Sequence, residues 1–259
     1  MYIRVLMENT TASPDLTAEH GLSLYIETGS HKILFDTGKT GAFADNARVL
    51  GVNLSEVELC VLSHGHYDHG GGISRFLSVN SHAPVYASCH AFTPCYSSGS
   101  YIGLDPALRG NKRIISVGDT AVLFPGITLH SCNRNPRPYV FGTFGQTIPE
   151  NERQIPDPYL HEQYLLIEEN GKRICISGCS HKGALNILHW FRPDVFIGGF
   201  HFIRMDPDGS ELAAAAELLA RSDTMYYTGH CTGQAQFDTM KGVLGSRLEY
   251  IHTGSEIRI

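Results

Sequence analysis

The densest chemistry in the chain lies in Ser63-His64-Gly65-His66-Tyr67-Asp68-His69-Gly70-Gly71-Gly72, where four potential metal ligands occupy six positions. Imidazole nitrogens and carboxylate oxygens bind divalent first-row ions, so His and Asp packed this closely read as a metal site. The apolar run Glu58 to Leu62 ends just before the cluster, which places these ligands at the end of a short buried strand. In extended backbone, residues two apart point the same way, and His64 and His66 can converge on one ion. Asp68 and His69 follow at the turn and can face a second ion. The three glycines permit a tight turn and bring a helix start near Ile73 close to the ligands, where its N-terminus would favour bound anions. Isolated histidines such as His20, His31 and His82 read instead as surface or internally satisfied groups.

An α/β scaffold is expected to position this cluster. Strands are predicted at Tyr2 to Met7, Leu22 to Ile26 and Lys32 to Phe35, then a helix from Gly41 to Leu50 with Phe43, Ala47 and Leu50 on one face. The C-terminal third alternates cleanly. It reads as strand Tyr164 to Glu168, strand Arg173 to Ser177, helix Gly183 to Phe191, strand Asp194 to Ile197, helices at 209–221 and 233–244, and strands at 224–228 and 247–251. Asp208 with Glu211 suggests a capping box for the first of those late helices, and Phe237, Met240 and Leu244 form the apolar face of the second. Nine of the twelve prolines fall between Pro84 and Pro158, so residues 84–160 are expected as an irregular insertion of loops and short strands, either a pocket wall or a plain connection.

Composition sets the outer bounds. A chain of 259 residues can bury about three quarters of its surface, enough for one large core and a single domain over 1–259. The net charge of −6 offers no general attraction for nucleic acid or anionic membranes, and no apolar run is long enough to span a bilayer. Met1 to Asp15 holds no uninterrupted apolar stretch resembling a signal segment, so a cytoplasmic location is expected, and seven scattered cysteines, an odd number, favour reduced thiols. Oligomeric state is not legible.

His64-Gly65-His66-Tyr67-Asp68-His69 resembles the HxHxDH signature of the metallo-β-lactamase superfamily, and further segments resemble it in order. Phe35-Asp36-Thr37-Gly38 looks like its early strand-end motif, in which the aspartate supports the metal-binding loop. Ser177-Gly178-Cys179-Ser180-His181 and Thr228-Gly229-His230-Cys231-Thr232-Gly233 stand where later ligand motifs belong. Together they are most similar to the branch containing the dihydropterin ribofuranosylaminobenzene phosphate synthase of methanopterin biosynthesis and its bacterial relatives.

The resemblance implies a four-layer αββα sandwich with two mixed sheets and two divalent metal ions at one edge, zinc first and manganese or iron as alternatives. It gives His64 and His66 to one ion, and Asp68 and His69, completed by His230, to the other. Relatives commonly carry a bridging aspartate where this chain offers Cys179 and His181. His181 is taken as the ligand, with Cys179 as the alternative or a small buried residue. His161 or Glu162 could add a ligand or support one. His201, after Gly198-Gly199-Phe200, is assigned to substrate binding or to structure. The implied activity is a metal-dependent hydrolase in which Asp68 also orients the attacking water, acting on a small phosphorylated molecule. The alternatives are a synthase joining a pterin diphosphate to an aromatic amine, and a non-catalytic metal-dependent binder or sensor.

Overall fold

The computed structural model describes residues 1–140 and 144–259. Its strands assemble into two seven-stranded sheets and one four-stranded sheet. The first sheet runs Glu256–Arg258, Tyr2–Met7, Ser23–Glu27, Lys32–Phe35, Leu59–Val61, Val85–Ser88, Ile114–Val117. It is antiparallel up to Lys32–Phe35 and parallel beyond. The second runs Leu248–Tyr250, Met225–Thr228, Val195–Ile197, Lys172–Ile176, Tyr164–Glu169, Ile127–His130, Thr120–Phe124. It is parallel over its first four strands and antiparallel over the rest. Both large sheets are mixed, as expected.

Side-chain alternation explains the layering. Ile33 and Phe35 point to one side of their strand, where they meet Leu129, Leu165, Ile176 and Ile197 of the second sheet in a shared apolar slab. Leu34, between them, points the other way into a cluster with Phe43, Ala47, Ile73 and Phe76 from helices Ala42–Val49 and Ile73–Val79. The outer face of the second sheet buries Cys175, Phe196 and Tyr226 against helices Ala184–Phe191, Ser210–Ala220 and Gln234–Leu244. The order is therefore helix, sheet, sheet, helix. Each large apolar side chain enclosed this way contributes about 1.5–3 kcal/mol of transfer free energy, which is why strands apolar on both faces sit centrally.

The proline-rich stretch is more regular than its composition suggests. Val85–Ser88 and Ile114–Val117 join the first large sheet, and Thr120–Phe124 and Ile127–His130 join the second. The remainder folds into the small antiparallel sheet Arg153–Pro156, Gln146–Glu150, Tyr96–Ser97, Ser100–Tyr101. The prolines punctuate rather than interrupt: Pro84 precedes a strand, Pro125 sits in the Phe124-to-Ile127 turn, and Pro156 closes a short strand. Residues 141–143 lie outside the described part. The capping box is a second correction. Gly209 occupies the N-cap of Ser210–Ala220 with no side-chain cap, and the Asp208 N–H instead donates to Asp206 Oδ1. Among the described residues no helix is long and apolar enough to cross a membrane.

In both sheets the parallel strands lead toward one edge of the sandwich. Lys32–Phe35 ends at Asp36 and Leu59–Val61 leads to Ser63 and His64. Lys172–Ile176, Val195–Ile197 and Met225–Thr228 lead to Cys179, His201 and His230. Loops beyond the carboxyl ends of parallel strands are the usual place for ligand sites in α/β sheets.

Candidate metal centre

His69, His230 and Asp68 form one compact donor set. His69 Nδ1 lies 2.6 Å from Asp36 Oδ2, an acceptor, so Nδ1 carries the hydrogen and Nε2 a lone pair. His230 Nδ1 lies 2.9 Å from Asn9 Oδ1, and the Asn9 amide nitrogen donates to the His230 carbonyl, so this ring too presents a lone pair at Nε2. Those two Nε2 atoms stand 3.1 Å apart. Asp68 Oδ2 is 3.3 Å from His230 Nε2 and 3.7 Å from His69 Nε2. Lone pairs and a carboxylate cannot face one another in a buried site without positive charge between them. The spacing matches the roughly 3.3 Å edge of a tetrahedron with metal–nitrogen bonds of about 2.0–2.1 Å. The residues fit a divalent cation.

A second set is built from three rings. His64, His66 and His181 meet edge-on, with centroids 4.6, 4.8 and 4.9 Å apart. His64 Nε2 and His181 Nε2 are 3.2 Å apart, and His66 Nε2 and His181 Nδ1 are buried with no hydrogen-bond partner. The facing His64 and His181 Nε2 atoms again call for a group between them, while His66, unpartnered at Nε2, has donor atoms of Cys95, Asp157 and His161 within 4.8 Å as well. Cys179 lies between the sets: Sγ is 3.2 Å from His69 Nε2, and its distances group it both with His64 and His181 and with His69 and His230. Sequence reading placed His181 ahead of Cys179; the structure brings both to the centre.

Electrostatics keep the imidazoles in the ligand form. Burial, reinforced by neighbouring rings, holds His64 and His181 well below the ordinary histidine range. Burial also brings His66 down to about 3, and His230 to about 4 despite the neighbouring Asp68 carboxylate. His69 is the exception: burial lowers it, but Asp36 and Asp68 outweigh burial and move it upward. The ring that seeks a proton is thus the one facing two carboxylates. Burial disfavours ionised Asp68, yet His69, His20 and His230 hold its carboxyl well below the usual range. Burial pushes the Cys179 thiol well up, so its thiolate requires a coordinated cation.

Asp36 links the sets. Its carboxylate accepts from the Ser63 N–H and hydroxyl, both at 2.7 Å, and from His69 Nδ1. Ser63 Oγ, having donated to Asp36, accepts from His64 Nδ1 at 2.8 Å, which leaves the His64 Nε2 lone pair for the centre. One carboxylate therefore fixes the tautomers of rings in both sets. Gly178 permits the approach, because a Cβ there would lie 2.3 Å from Ser63 Oγ. Glu162 is a support and not a donor to the cluster: Oε1 accepts from the His181 N–H and Oε2 from the Lys182 N–H. His161 is committed as well, accepting from the Gly65 N–H at Nδ1 and donating from Nε2 to Asp157. Asp36, Ser180, His201 and His230 hold positive φ of 59°, 61°, 58° and 51°, a conformation costing about 1–3 kcal/mol per non-glycine residue. At His230 the backbone N–H is fixed by Glu8 Oε1.

The centre opens into a cavity of about 390 Å³. His201 lines it, its ring 4.3 Å from His181 and 5.1 Å from Phe144. Ser97 and Gln146 of the small sheet, with Ile102 and Phe144 beside it in the chain, form a wall, so the proline-rich stretch shapes the pocket. A larger groove of about 450 Å³, between Leu185 and Thr224, contains none of the donors. Sequence reading missed Asn9, Glu8 and Asp157, which stand alone among ordinary residues and carry no spacing signal. It also left His20 outside the site, although His20 Nε2 is 3.2 Å from Asp68 Oδ2. The Gly21-Leu22 step from polar loop to apolar strand was the one hint.

Comparison with known proteins agrees with this geometry. The chain is 28% identical over 275 residues to the 7,8-dihydropterin-6-methyl-4-(β-D-ribofuranosyl)-aminobenzene-5'-phosphate synthase of Methanocaldococcus jannaschii, covering 93% of this chain and 90% of that protein. It is 26% identical over 241 residues to an uncharacterized protein of the same organism, covering 89% and 90%. The crystal structure of Tm1679, a metal-dependent hydrolase of the β-lactamase superfamily, superposes with a TM-score of 0.83 at 26% identity over 100% of this chain and 99% of that one. Residues 16–230 match the sequence profile of the metallo-β-lactamase superfamily, and with its αββα layers and strand-end histidines the chain belongs to that superfamily.

Proposed function

We propose that the protein is a metal-dependent hydrolase of small phosphorylated molecules. The observation that carries this reading is the pair of donor sets, with lone pairs aimed inward, at the floor of an open pocket. In this reading His64, His66 and His181 hold one divalent ion, Asp68, His69 and His230 hold a second, and Cys179 is shared, a thiol that favours zinc over manganese. Bound ions would supply Lewis acidity for water and for a phosphoryl oxygen. Asp68 accepts a hydrogen bond from the attacking water and orients it. His201, which burial brings to about 4, is a neutral ring at neutral pH and offers a hydrogen bond to the leaving group. The mouth of the pocket argues against a purely structural or sensing centre, which would be closed by protein.

Loading the purified chain with zinc, counting bound metal and assaying bis(p-nitrophenyl) phosphate and p-nitrophenyl phosphate tests this. His66→Ala and Asp68→Ala should each lose metal and turnover together; full activity in either variant ends the assignment. A second reading is supported by the similarity to the archaeal synthase: condensation of a pterin diphosphate with an aromatic amine. Turnover of that pair by a chain inert toward both phosphoesters would favour the synthase.

A further inference from the structure

His20 stands at the mouth of the centre in a built position. Its side chain is 51% exposed, whereas those of His69 and His230 are 0% and 1% exposed. The backbone beneath it is pinned to the donor set around Asp68. The Leu22 N–H donates to the Asp68 carbonyl, the Gly21 N–H to Asn9 Oδ1, and the Gly38 N–H to the Leu22 carbonyl. A Cβ at Gly21 would lie 2.6 Å from the Asp68 carbonyl oxygen, so only glycine lets this segment rest on Asp68. The ring then leans on His230, centroids 4.7 Å apart, with Nε2 3.2 Å from Asp68 Oδ2.

Hydrogen accounting makes this contact specific. With both rings neutral, the form in which each Nε2 can hold an ion, the His69 and His230 hydrogens sit on Nδ1 and are committed to Asp36 and Asn9, so the Nε2 atoms have none to give Asp68. His20 is therefore the ring that can donate to Asp68 Oδ2, through Nε2–H, and that commitment makes its Nδ1 an acceptor. We propose that His20 is a positioning residue: it fixes the Asp68 carboxylate through Nε2–H and offers its Nδ1 lone pair to an O–H or N–H of the incoming substrate. It lines the pocket with Asp68 and His201, and among the rings in contact with Asp68 it is the one a substrate meets from solvent.

The inference rests on the reading of this cluster as a metal site, and its test separates the two. The probe is the full chain loaded with cobalt(II), whose visible bands report the geometry of the donors, with inorganic phosphate as the small ligand. His20→Ala should keep the parent's cobalt stoichiometry, shift the bands, and raise the phosphate Kd about tenfold. His20→Gln, whose side-chain N–H can replace Nε2–H, should return the bands toward the parent. Superimposable spectra and an unchanged Kd in His20→Ala overturn the proposal. Loss of a cobalt equivalent that His20→Gln does not recover overturns it also, because His20 would then be a ligand. A parent chain that binds no cobalt overturns both readings together. Neither readout requires turnover.

Discussion

The two donor sets differ in how firmly their rings are held. Around His69 and His230 each Nδ1 hydrogen has a fixed acceptor, and a carboxylate completes the set. Around His64, His66 and His181 only His64 is fixed, through Ser63, while His66 Nε2 and His181 Nδ1 have no partner. A ring whose tautomer and orientation are set in advance loses little freedom when it coordinates, and a carboxylate adds direct attraction for a cation. The set around Asp68 should therefore bind its ion first and release it last. The three-ring set, neutral apart from the shared Cys179, should exchange more readily.

The largest effect is expected where the sets are joined. Asp36→Asn puts an amide where three donors converge, so at least one N–H or O–H loses its acceptor and both His64 and His69 lose their enforced tautomers. A single supporting partner is commonly worth 10–100-fold in metal affinity, and Asp36 serves both sets, so metal content should drop to near zero at micromolar zinc. Elemental analysis after dialysis checks this; two retained equivalents would show that the rings are ordered by something else. Next in size are the ligand deletions. His230→Ala should lose the tighter ion and His181→Ala the weaker one, leaving about one equivalent in each. A chelator titration of the parent should then show two steps, the slower of which is absent from His230→Ala. A single step shared by all three proteins would erase the proposed asymmetry.

The legible part of this centre is the part encoded in one stretch of chain. His64, His66, Asp68 and His69 are visible because strand and turn geometry act over six residues, and neighbouring apolar runs reveal the strand that carries them. The late strands and helices are equally legible, since their apolar periodicity is strong: Phe237, Met240 and Leu244 are all buried as expected. What escapes is long-range. Asn9 is 221 residues from the ring it orients, and His20 is 48 positions before Asp68, so no local pattern ties them to the site. The final strand, Glu256–Arg258, pairs with Tyr2–Met7 at the other end of the chain and was missed for the same reason. The small sheet was hidden because proline counts suggest breaks, while Pro156 ends an edge strand and Pro149 lies beyond the stretch of Gln146–Glu150 that pairs with Tyr96–Ser97.

The smallest effect sharpens the contrast, because it reaches the looser set alone. Gly65, between His64 and His66, donates its N–H to His161 Nδ1, which requires the His161 hydrogen on Nε2, where Asp157 Oδ2 accepts it at 3.0 Å. Asp157 and His161 are 3% and 1% exposed, so this relay is dry, and burial notwithstanding, the His161 ring holds Asp157 below the usual carboxylate range. Asp157→Asn leaves one acceptor oxygen for two donors, the Tyr159 N–H and the His161 Nε2–H, and removes the charge that strengthens the bond, so the hold on the His161 tautomer weakens. Only the loop bearing His64 and His66 should loosen. The first chelator step should speed up by about threefold to tenfold, at the low end of what such supports are worth, while the second step stays as in the parent. His161→Ala, which removes the acceptor for Gly65 altogether, should give the larger change in the same step. Equal acceleration of both steps would mean that the relay braces the whole edge of the sandwich and not one set of ligands.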